Sequence, residues 1–293
     1  NAVNVTVDEG ASVSANNQGY KDGPGADLTN INGGNYTTYG SATRPIDLGS
    51  GGGGSNNRCG GAVWLIVANS INNNGVISAN GDSGSSGGSI YATVKNINGN
   101  GIWQTNGGGR DLSCPSGCSP GSGGRIALAY EISPLEIMAE AKGGCTSYDG
   151  FSQSCVQDGT VGFFDILNND LLVSSSWRFS VFDSPMVFND VFFKNSSEVN
   201  AETGSSFTAN NIIIDETSVF ILSGEETINA NSLTLKGSSF ITVLPERVLH
   251  LEIHNIKIET GSKISANGKG YFIGPGSPET PDVAGASHGG KGG

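Results

Sequence analysis

Apolar residues recur along residues 171–264 in a pattern that repeats about every 21 positions. Each repeat has two apolar residues separated by one position, and a third apolar residue after a longer gap. The five repeats are Leu171/Val173/Phe179, Val191/Phe193/Val199, Ile212/Ile214/Phe220, Leu233/Leu235/Ile241 and Ile256/Ile258/Ile264. A spacing of two places the pair on one face of a strand, and the gap spans a corner into a second strand. The pattern therefore predicts stacked short strands.

A second family of strands is predicted in the first half of the chain. Each member begins with small residues and continues into an apolar segment, which is typical of a β-strand. Shorter strands near Ile77, Ile102 and Ile137 lie between them, and each ends in a glycine turn. The aligned copies are GGAVWLIV, GGSIYATV, GGRIALAY and the degenerate GTVGFF, with key apolar positions Val63, Ile90, Ile126 and Val161.

These patterns predict an all-β fold, a right-handed parallel β-helix solenoid with glycine-rich loop insertions. A coil of two or three short strands joined by turns has a period of this size. A leucine-rich repeat would need a recurring Leu/Asn scaffold and a helical segment, which the sequence lacks. A β-sandwich is the main rival because its short strands look alike locally, but a sandwich has no reason to keep a constant period.

The two ends of the chain share a sequence pattern. The matched positions of the first copy are Val5, Val7, Gly10, Val13, Ser14, Ala15, Asn16, Gly19, Tyr20, Gly23, Pro24 and Gly25, and each recurs 251 residues later. A match this regular indicates tandem duplication. We expect residues 1–254 to form one unit, with loop-rich coils in 1–170 and regular coils in 171–254, and residues 255–293 to begin the next unit. One unit should hold roughly ten coils and rise on the order of 45 to 50 Å.

Asparagines recur close to the strand ends, in motifs such as SANG and TANN. They are Asn16, Asn80, Asn106, Asn210, Asn231 and Asn267. Asparagine tolerates the left-handed backbone conformation and stacks in ladders between successive strands, so we predict a turn and ladder role.

Composition and charge exclude several function classes. The 15 Lys and Arg residues against 27 Asp and Glu give a net charge of -12, which repels nucleic acid and anionic membranes. No apolar run is long enough for a membrane span. The 46 glycines lack the strict period of collagen, and the regularly spaced apolar residues argue against disorder.

The cysteines predict an oxidising compartment. Cys114/Cys118 and Cys145/Cys155 are close pairs in loop-like sequence, which suggests two local disulfides. Zinc is the competing interpretation of CPSGC, but no histidine lies near this cluster to complete a four-ligand site. Cys59 is left over, and it is free, alters the pairing or bonds a neighbouring molecule.

Three N-glycosylation sequons fit the same compartment, at Asn4, Asn35 and Asn195. The chain begins at Asn1 with neither a methionine nor an apolar leader, so we expect that a signal peptide has been removed or that this is an internal segment. The predicted location is extracellular, at the cell surface.

We expect no enzyme activity. Parallel β-helices include polysaccharide lyases and hydrolases, whose sites use acidic calcium ligands with a basic proton abstractor, or NTD, DD, GHG and RIK motifs. None of these motifs is present. The loop residues Asp82, Asp111, Asp149 and Asp158 do not recur at the strand period, so we interpret them as solvated carboxylates.

No cofactor is expected either. His250 and His254 fall on one side of a predicted strand, which leaves a metal pair open but favours a surface pair. No serine or cysteine has an evident histidine base. Structural calcium in a loop stays open, without an EF-hand or nonapeptide motif to indicate it.

The alternation of GGSIYATV-type strands, IxAxGG turns and glycine loops such as GASHGGKGG resembles giant glycine-rich extracellular repeat proteins of protists. It is most similar to those proposed to build surface hairs and filaments, including the flagellar hairs called mastigonemes. The resemblance covers most of residues 1–170 and 255–293. It implies a structural component of an extracellular filament, flagellar hair or surface fibre, whose partners are copies of itself placed end to end or side by side.

Two alternatives remain open. In a cell-surface adhesin the same stack would be a stalk that binds a carbohydrate or a host partner, with Trp64, Trp103 and Trp177 as exposed sugar contacts. Because these tryptophans lie inside apolar strands, core filling is the competing interpretation. The second alternative is a polysaccharide lyase-like or hydrolase-like β-helix.

Overall fold

The computed structural model describes residues 1–21, 39–51, 58–109, 119–133, 137–146 and 154–271. Within these ranges the chain is all-β with parallel sheets, and the only helical turn is a 3-10 turn at Val181–Asp183. The all-β prediction is therefore confirmed.

Ten strands form the largest sheet. In their order across the sheet, and numbered in chain order, they are β1 (Ala2–Val7), β3 (Ala62–Asn73), β5 (Ser89–Asn98), β7 (Arg125–Ile132), β11 (Thr160–Asp165), β12 (Asp170–Val173), β14 (Met186–Phe193), β16 (Ser206–Ile214), β18 (Thr227–Leu235) and β20 (Glu252–Ile258). Each strand lies beside a strand that is close in the chain, so the sheet grows in one direction from β1 to β20.

The smaller sheets grow in the same direction. The four-stranded sheet contains β2 (Ser12–Ser14), β4 (Val76–Ser78), β6 (Ile102–Gln104) and β8 (Met138–Glu140). The five-stranded sheet contains β13 (Ser176–Phe179), β15 (Glu198–Ala201), β17 (Val219–Leu222), β19 (Phe240–Val243) and β21 (Lys263–Ile264). A separate antiparallel pair is formed by β9 (Cys145–Thr146) and β10 (Ser154–Cys155). Apart from the β9–β10 pair and the consecutive large-sheet strands β11 and β12, the chain thus alternates between the large sheet and a small one.

The pairing register follows the aligned sequence positions. Val63 pairs with Ile90, Ile90 with Ile126, and Ile126 with Val161, so the four predicted key positions stand in one row. Parallel strands with a buried face hold such a register because a slip of one residue would turn every apolar side chain outward.

The regular half has one exception to the predicted pattern. Val199 pairs with Trp177, not with Phe179 as the constant spacing predicted. The connection between β12 and β13 is two residues, whereas the one between β14 and β15 is four, so the apolar position arrives two residues earlier. Phe179 lies two residues after Trp177, on the same face of β13, and is fully buried.

The predicted succession of parallel strands is interrupted once. β11 and β12 are antiparallel, with Phe163 opposite Leu172, whereas every other neighbouring pair in the ten-stranded sheet is parallel. The turn between them is stabilised by Asp165, whose Oδ1 accepts hydrogen bonds from the backbone N–H groups of Leu167 and Asn168 at 3.0 and 3.1 Å. The strands before and after this turn therefore run in opposite directions.

The hydrophobic core changes sides at the same place. Val161 and Phe163 belong to the core of the first half, and Phe164 packs against the core of the second half. Neighbouring residues of a strand point to opposite faces of the sheet. Gly162 shares the face of Phe164, where an added Cβ would lie 2.4 Å from Cζ3 of Trp177 in the second core. The two cores thus lie on opposite faces of the ten-stranded sheet.

The partner strand shows the same division. Leu171 and Val173 are fully buried in the second core, and Leu172 packs against the first. Strand direction and core face therefore reverse together at this turn.

Residues 39–51 form a strap that joins distant parts of the stack. At one end the carboxylate of Asp183 accepts hydrogen bonds from the backbone N–H of Ala42 and the hydroxyl of Thr43, both at 2.7 Å, and from the hydroxyl of Ser41. These residues lie about 140 positions apart in the chain. The strap therefore ties the first half of the chain to the start of the second.

Further contacts hold the strap against the large sheet. The hydroxyl of Ser89 donates to the carbonyl of Asp47 at 2.6 Å. The guanidinium of Arg125 lies 5.6 Å from the ring centre of Tyr39, and burial lowers the pKa of Arg125. A guanidinium over an aromatic face is attracted by the negative charge of the ring face, so this contact holds the strap to β7.

Candidate functional site

The first and last layers of the molecule have the same sequence pattern and lie at its opposite ends. The first layer, residues 1–20, carries the edge strands β1 and β2, and the last layer, residues 252–271, carries the edge strands β20 and β21. Their turns match as well, because Gly10 and Gly261 have φ angles of 80° and 88°. The two layers therefore carry one motif. The first layer pairs with the strands that follow it in the chain, and the last layer pairs with the strands that precede it.

The first layer shows how the motif binds the strand that follows it. The second layer, residues 58–80, pairs with it through Val5 opposite Ile71 and Val13 opposite Ile77. Val7 of the first layer is only 3% exposed as a result. Backbone hydrogen bonds continue into the loop, where Gly19 N–H donates to the Cys59 carbonyl at 2.7 Å.

An asparagine ladder crosses this boundary. The side-chain Oδ1 of Asn16 accepts a hydrogen bond from the backbone N–H of Asn80 at 2.7 Å, and Oδ1 of Asn80 accepts one from Asn106 at 2.7 Å. Oδ1 of Asn106 then accepts one from Lys142 at 2.8 Å. The predicted ladder role of Asn16, Asn80 and Asn106 is confirmed, since each amide satisfies a backbone group of the next layer. Asn231 Nδ2 also donates to Asn210 Oδ1 at 2.8 Å, but these two residues lie inside β18 and β16, so the predicted turn role is wrong for them.

Among the residues that the structure describes, the last layer has the same groups without a neighbour on its outer side. Ile256 and Ile258 are 49% and 48% exposed, although they correspond to Val5 and Val7. At Gly19 an added Cβ would lie 2.3 Å from the carbonyl oxygen of Gly60, whereas at the corresponding Gly270 no described atom lies within 4 Å of it. Within the described part of the chain, the last layer is therefore an apolar strand edge that no other strand covers.

A second polar row runs along the outside of β12, β14, β16, β18 and β20. Nδ2 of Asn211 donates to Oδ1 of Asp190 at 2.7 Å, and the hydroxyl of Ser232 donates to Oδ1 of Asn211 at 2.6 Å. Ser232 pairs with Asn255 in the last layer, and Asn4 is the corresponding residue of the first layer. Oδ1 of Asn4 accepts hydrogen bonds from Asn69 Nδ2 at 2.9 Å and from Ser70 Oγ at 2.8 Å. Both edge layers therefore carry an asparagine at this position, Asn255 in the last layer and Asn4 in the first.

The row begins with carboxylates. Burial raises the pKa of Asp170, and the charges of Asp190 and Asp165 act in the same direction. Oδ1 of Asp170 accepts the backbone N–H of Asp190 at 2.9 Å. Among the described residues, no group of three or more His, Cys, Asp and Glu side chains is arranged to hold a metal ion. The carboxylates thus act as hydrogen-bond acceptors within the row.

Sequence reasoning missed this row, although a signal was present. A polar pair precedes the apolar pair in each repeat, as in Asn189-Asp190 before Val191 and Asn210-Asn211 before Ile212. The Asp183 anchor of the strap had no comparable signal, because its partners lie far away in the sequence.

The predicted cysteine pairs have separate outcomes. Cys145 and Cys155 form a disulfide that links β9 to β10. Cys114 and Cys118 lie outside the described residues. Cys59 is buried, with 0% exposure, in the second layer, so a bond to a neighbouring molecule would require that layer to open.

The sequons differ in their surroundings. Asn195 is exposed on a turn with a φ of 56°, and its backbone N–H donates to Glu216 Oε2 at 2.8 Å. Asn4 is exposed at the edge strand, with its Oδ1 engaged as described above. Asn35 lies outside the described residues.

The three tryptophans do not form an exposed row. Trp103 and Trp177 are 1% and 0% exposed and fill the two cores. Trp64 is 47% exposed, with the guanidinium of Arg44 over its ring at 5.3 Å and Tyr91 at 6.4 Å between ring centres. Burial therefore excludes Trp103 and Trp177 as sugar contacts, and of the three tryptophans Trp64 alone is exposed.

The histidine and aspartate candidates do not converge on one site. His250 lies 3.8 Å from Glu252, and His254 lines an open groove with Asn231 and Ile253. Asp158 accepts the backbone N–H of Gly143 at 2.8 Å. Asp82 accepts the N–H of Ser83 at 2.8 Å, and Asp111 and Asp149 lie outside the described residues.

Comparison of the chain with protein-family models, with curated proteins and with solved structures found no match. In the part of the chain that the structure describes, no helix is long and apolar enough to cross a membrane.

Proposed function

We propose that this chain is a structural component of an extracellular filament, flagellar hair or surface fibre. The observation that carries the proposal is the repetition of one layer at both ends, with the last layer's Ile256 and Ile258 half exposed where a following strand would cover them. An edge strand of this kind is a ready template for another strand. Copies of residues 1–254 joined through such layers would extend the sheets along one axis.

The proposed architecture is a right-handed parallel β-helix solenoid with glycine-rich loop insertions, in which the turn at Asp165 reverses the strands once per unit. The partners are copies of the chain itself, and N-linked glycans at the sequons would decorate the surface of a secreted protein. The resemblance to mastigoneme-type repeat proteins of protists supports the same role. The proposal assigns the chain no catalytic activity and no cofactor.

Negative-stain imaging of the native material tests this function. Long fibres with a regular axial repeat are expected, because strand stacking has a fixed spacing along the axis. Discrete monomers would contradict the filament role.

A second candidate is the adhesin stalk, and one observation favours it. Trp64 is exposed beside Tyr91, and aromatic faces of this kind bind sugars. A glycan array separates the two roles, since Trp64→Ala would abolish carbohydrate binding by an adhesin and would leave fibre formation unchanged.

A further inference from the structure

The last layer carries features that its own neighbours do not explain. No described atom lies within 4 Å of a Cβ added at Gly270, and Asn267 Oδ1 has no donor among the described residues. In the first layer the corresponding residues are both essential to a contact. Gly19 leaves room for the carbonyl of Gly60, and Asn16 caps the backbone N–H of Asn80.

We infer that the last layer is the docking surface for a second copy of residues 58–80, supplied by the following unit of a tandem array. This inference rests on the proposed function and specifies its interface. The occupant follows from the first layer, because that layer already binds residues 58–80 with the same motif.

The register of this junction can be read from the first layer. Val5 opposite Ile71 becomes Ile256 opposite Ile71 of the next copy, and Val13 opposite Ile77 becomes Ile264 opposite Ile77. The inner side of the same layer is already occupied, since Ile256 pairs with Leu233. One layer therefore joins two units without a linker.

The junction also connects the sheets. β20 and β1 belong to the ten-stranded sheet, so that sheet continues through the layer. β21 ends the five-stranded sheet and β2 begins the four-stranded one, so these two sheets become a single sheet across the junction. The polar row would continue through Asn255 in the place of Asn4, and a new asparagine ladder would begin at Asn267 in the place of Asn16.

A two-unit chain tests the inference. It consists of residues 1–271 followed directly by residues 21–293, so that the last layer of the first copy is also the first layer of the second. Hydrogen exchange of the amides in residues 252–264 is compared with that in the 293-residue chain. We expect exchange to slow at least tenfold in the two-unit chain, because the edge strand gains a hydrogen-bonded neighbour.

Gly270→Ala provides the matched variant. In the 293-residue chain it should leave the urea midpoint unchanged, because the added methyl meets no described atom within 4 Å. In the two-unit chain the methyl would meet the carbonyl of Gly60 of the second copy and should remove most of the protection. Gly19→Ala in the 293-residue chain is the positive control, since its Cβ would lie 2.3 Å from that carbonyl.

Equal exchange of residues 252–264 in both chains, or a silent Gly270→Ala in the two-unit chain, would overturn the inferred junction. That failure is separate from failure of the filament role. Native fibres with an unprotected junction would mean that units join in another way. A protected junction without native fibres would leave the interface intact and remove the proposed function.

Discussion

At the residue scale, single side chains decide where the two cores meet. Gly162 is the clearest case, because it lies between Phe163 of the first core and Trp177 of the second. The side chain of Trp177 occupies the space that any larger residue at position 162 would need. The absence of a Cβ at this position therefore allows one sheet to carry a core on each face.

We predict that Gly162→Ala lowers the free energy of unfolding by about 1–3 kcal/mol, the usual cost of overpacking a core. Trp177→Leu in the same chain should reduce that penalty, because the ring atom 2.4 Å from the added Cβ is removed. Urea denaturation of both single variants and the double variant gives the coupling. Additive effects would show that position 162 does not face Trp177.

Carboxylates of the polar row should respond to pH. The pKa of Asp170 is raised by burial and by the charges of Asp190 and Asp165, so its ionisation weakens the fold once the pH rises above the unfolded pKa. Asp170→Asn keeps an acceptor for the Asp190 N–H and should raise stability at neutral pH by about 0.5 kcal/mol. This gain should vanish at a pH below the unfolded pKa, where both states are protonated.

Asp215→Asn is the control with the opposite sign. The hydrogen bond from Lys236 lowers the pKa of Asp215, so this carboxylate stabilises the fold above its unfolded pKa and loses that effect as the pH falls through its folded pKa. Thermal melts at several pH values measure both variants. A gain in stability from Asp215→Asn at neutral pH would contradict the assignment.

At the element scale, the strap of residues 39–51 and the turn after β11 organise the stack. The strap contributes no strand, yet its Ala42 is 2% exposed in the second core. The turn reverses the chain and moves the core to the other face. Both elements act between the loop-rich and the regular halves, so they unite two sets of strands that the sequence pattern alone would treat as separate families.

Removing the anchor of the strap should release it locally. Thr43→Val deletes the hydroxyl that donates to Asp183 Oδ1 at 2.7 Å. We predict that it lowers the free energy of local opening of the strap by about 1–2 kcal/mol, because the carboxylate loses a hydrogen bond. Thr43→Ser keeps the hydroxyl and is the matched control. Hydrogen exchange of residues 39–51 should rise in the Val variant only, with little change in β16. A global rise across all strands would argue against a separate strap.

At the scale of the whole molecule, the ten-stranded sheet would fix the length of one unit in the proposed array. From β1 to the corresponding β20 there are nine steps across the sheet, which at roughly 4.8 Å each gives an axial repeat of about 43 Å. Strand direction and core face both reverse once between β1 and β20. In an array, each unit would therefore be rotated by half a turn about the axis relative to the unit before it. The twist of the sheet would add to or subtract from this rotation angle.

Cryo-electron microscopy of native fibres should therefore find a helical rise of about 43 Å. The density of the core should alternate between the two faces of the central sheet along the fibre. A rise near 43 Å with the core always on one face would contradict the antiparallel pairing of β11 and β12.

The sequence by itself determined the strands and most of their register. Rows such as Val63, Ile90, Ile126 and Val161 are set by apolar alternation, because a slip of one residue would expose every core side chain. The asparagine ladder followed for a similar reason, since each amide repeats at the same point of its turn. These features are local, so the spacing of residue types is enough to predict them.

Only the tertiary structure decided how the halves are joined. The reversal at Asp165, the core on both faces of β11 and the strap on Asp183 depend on residues that approach one another across long stretches of chain. Trp177 pairs with Val199 because the turn between β12 and β13 has only two residues. Turn geometry and long-range contacts leave no periodic trace in the sequence, whereas burial of one strand face leaves a trace in every repeat.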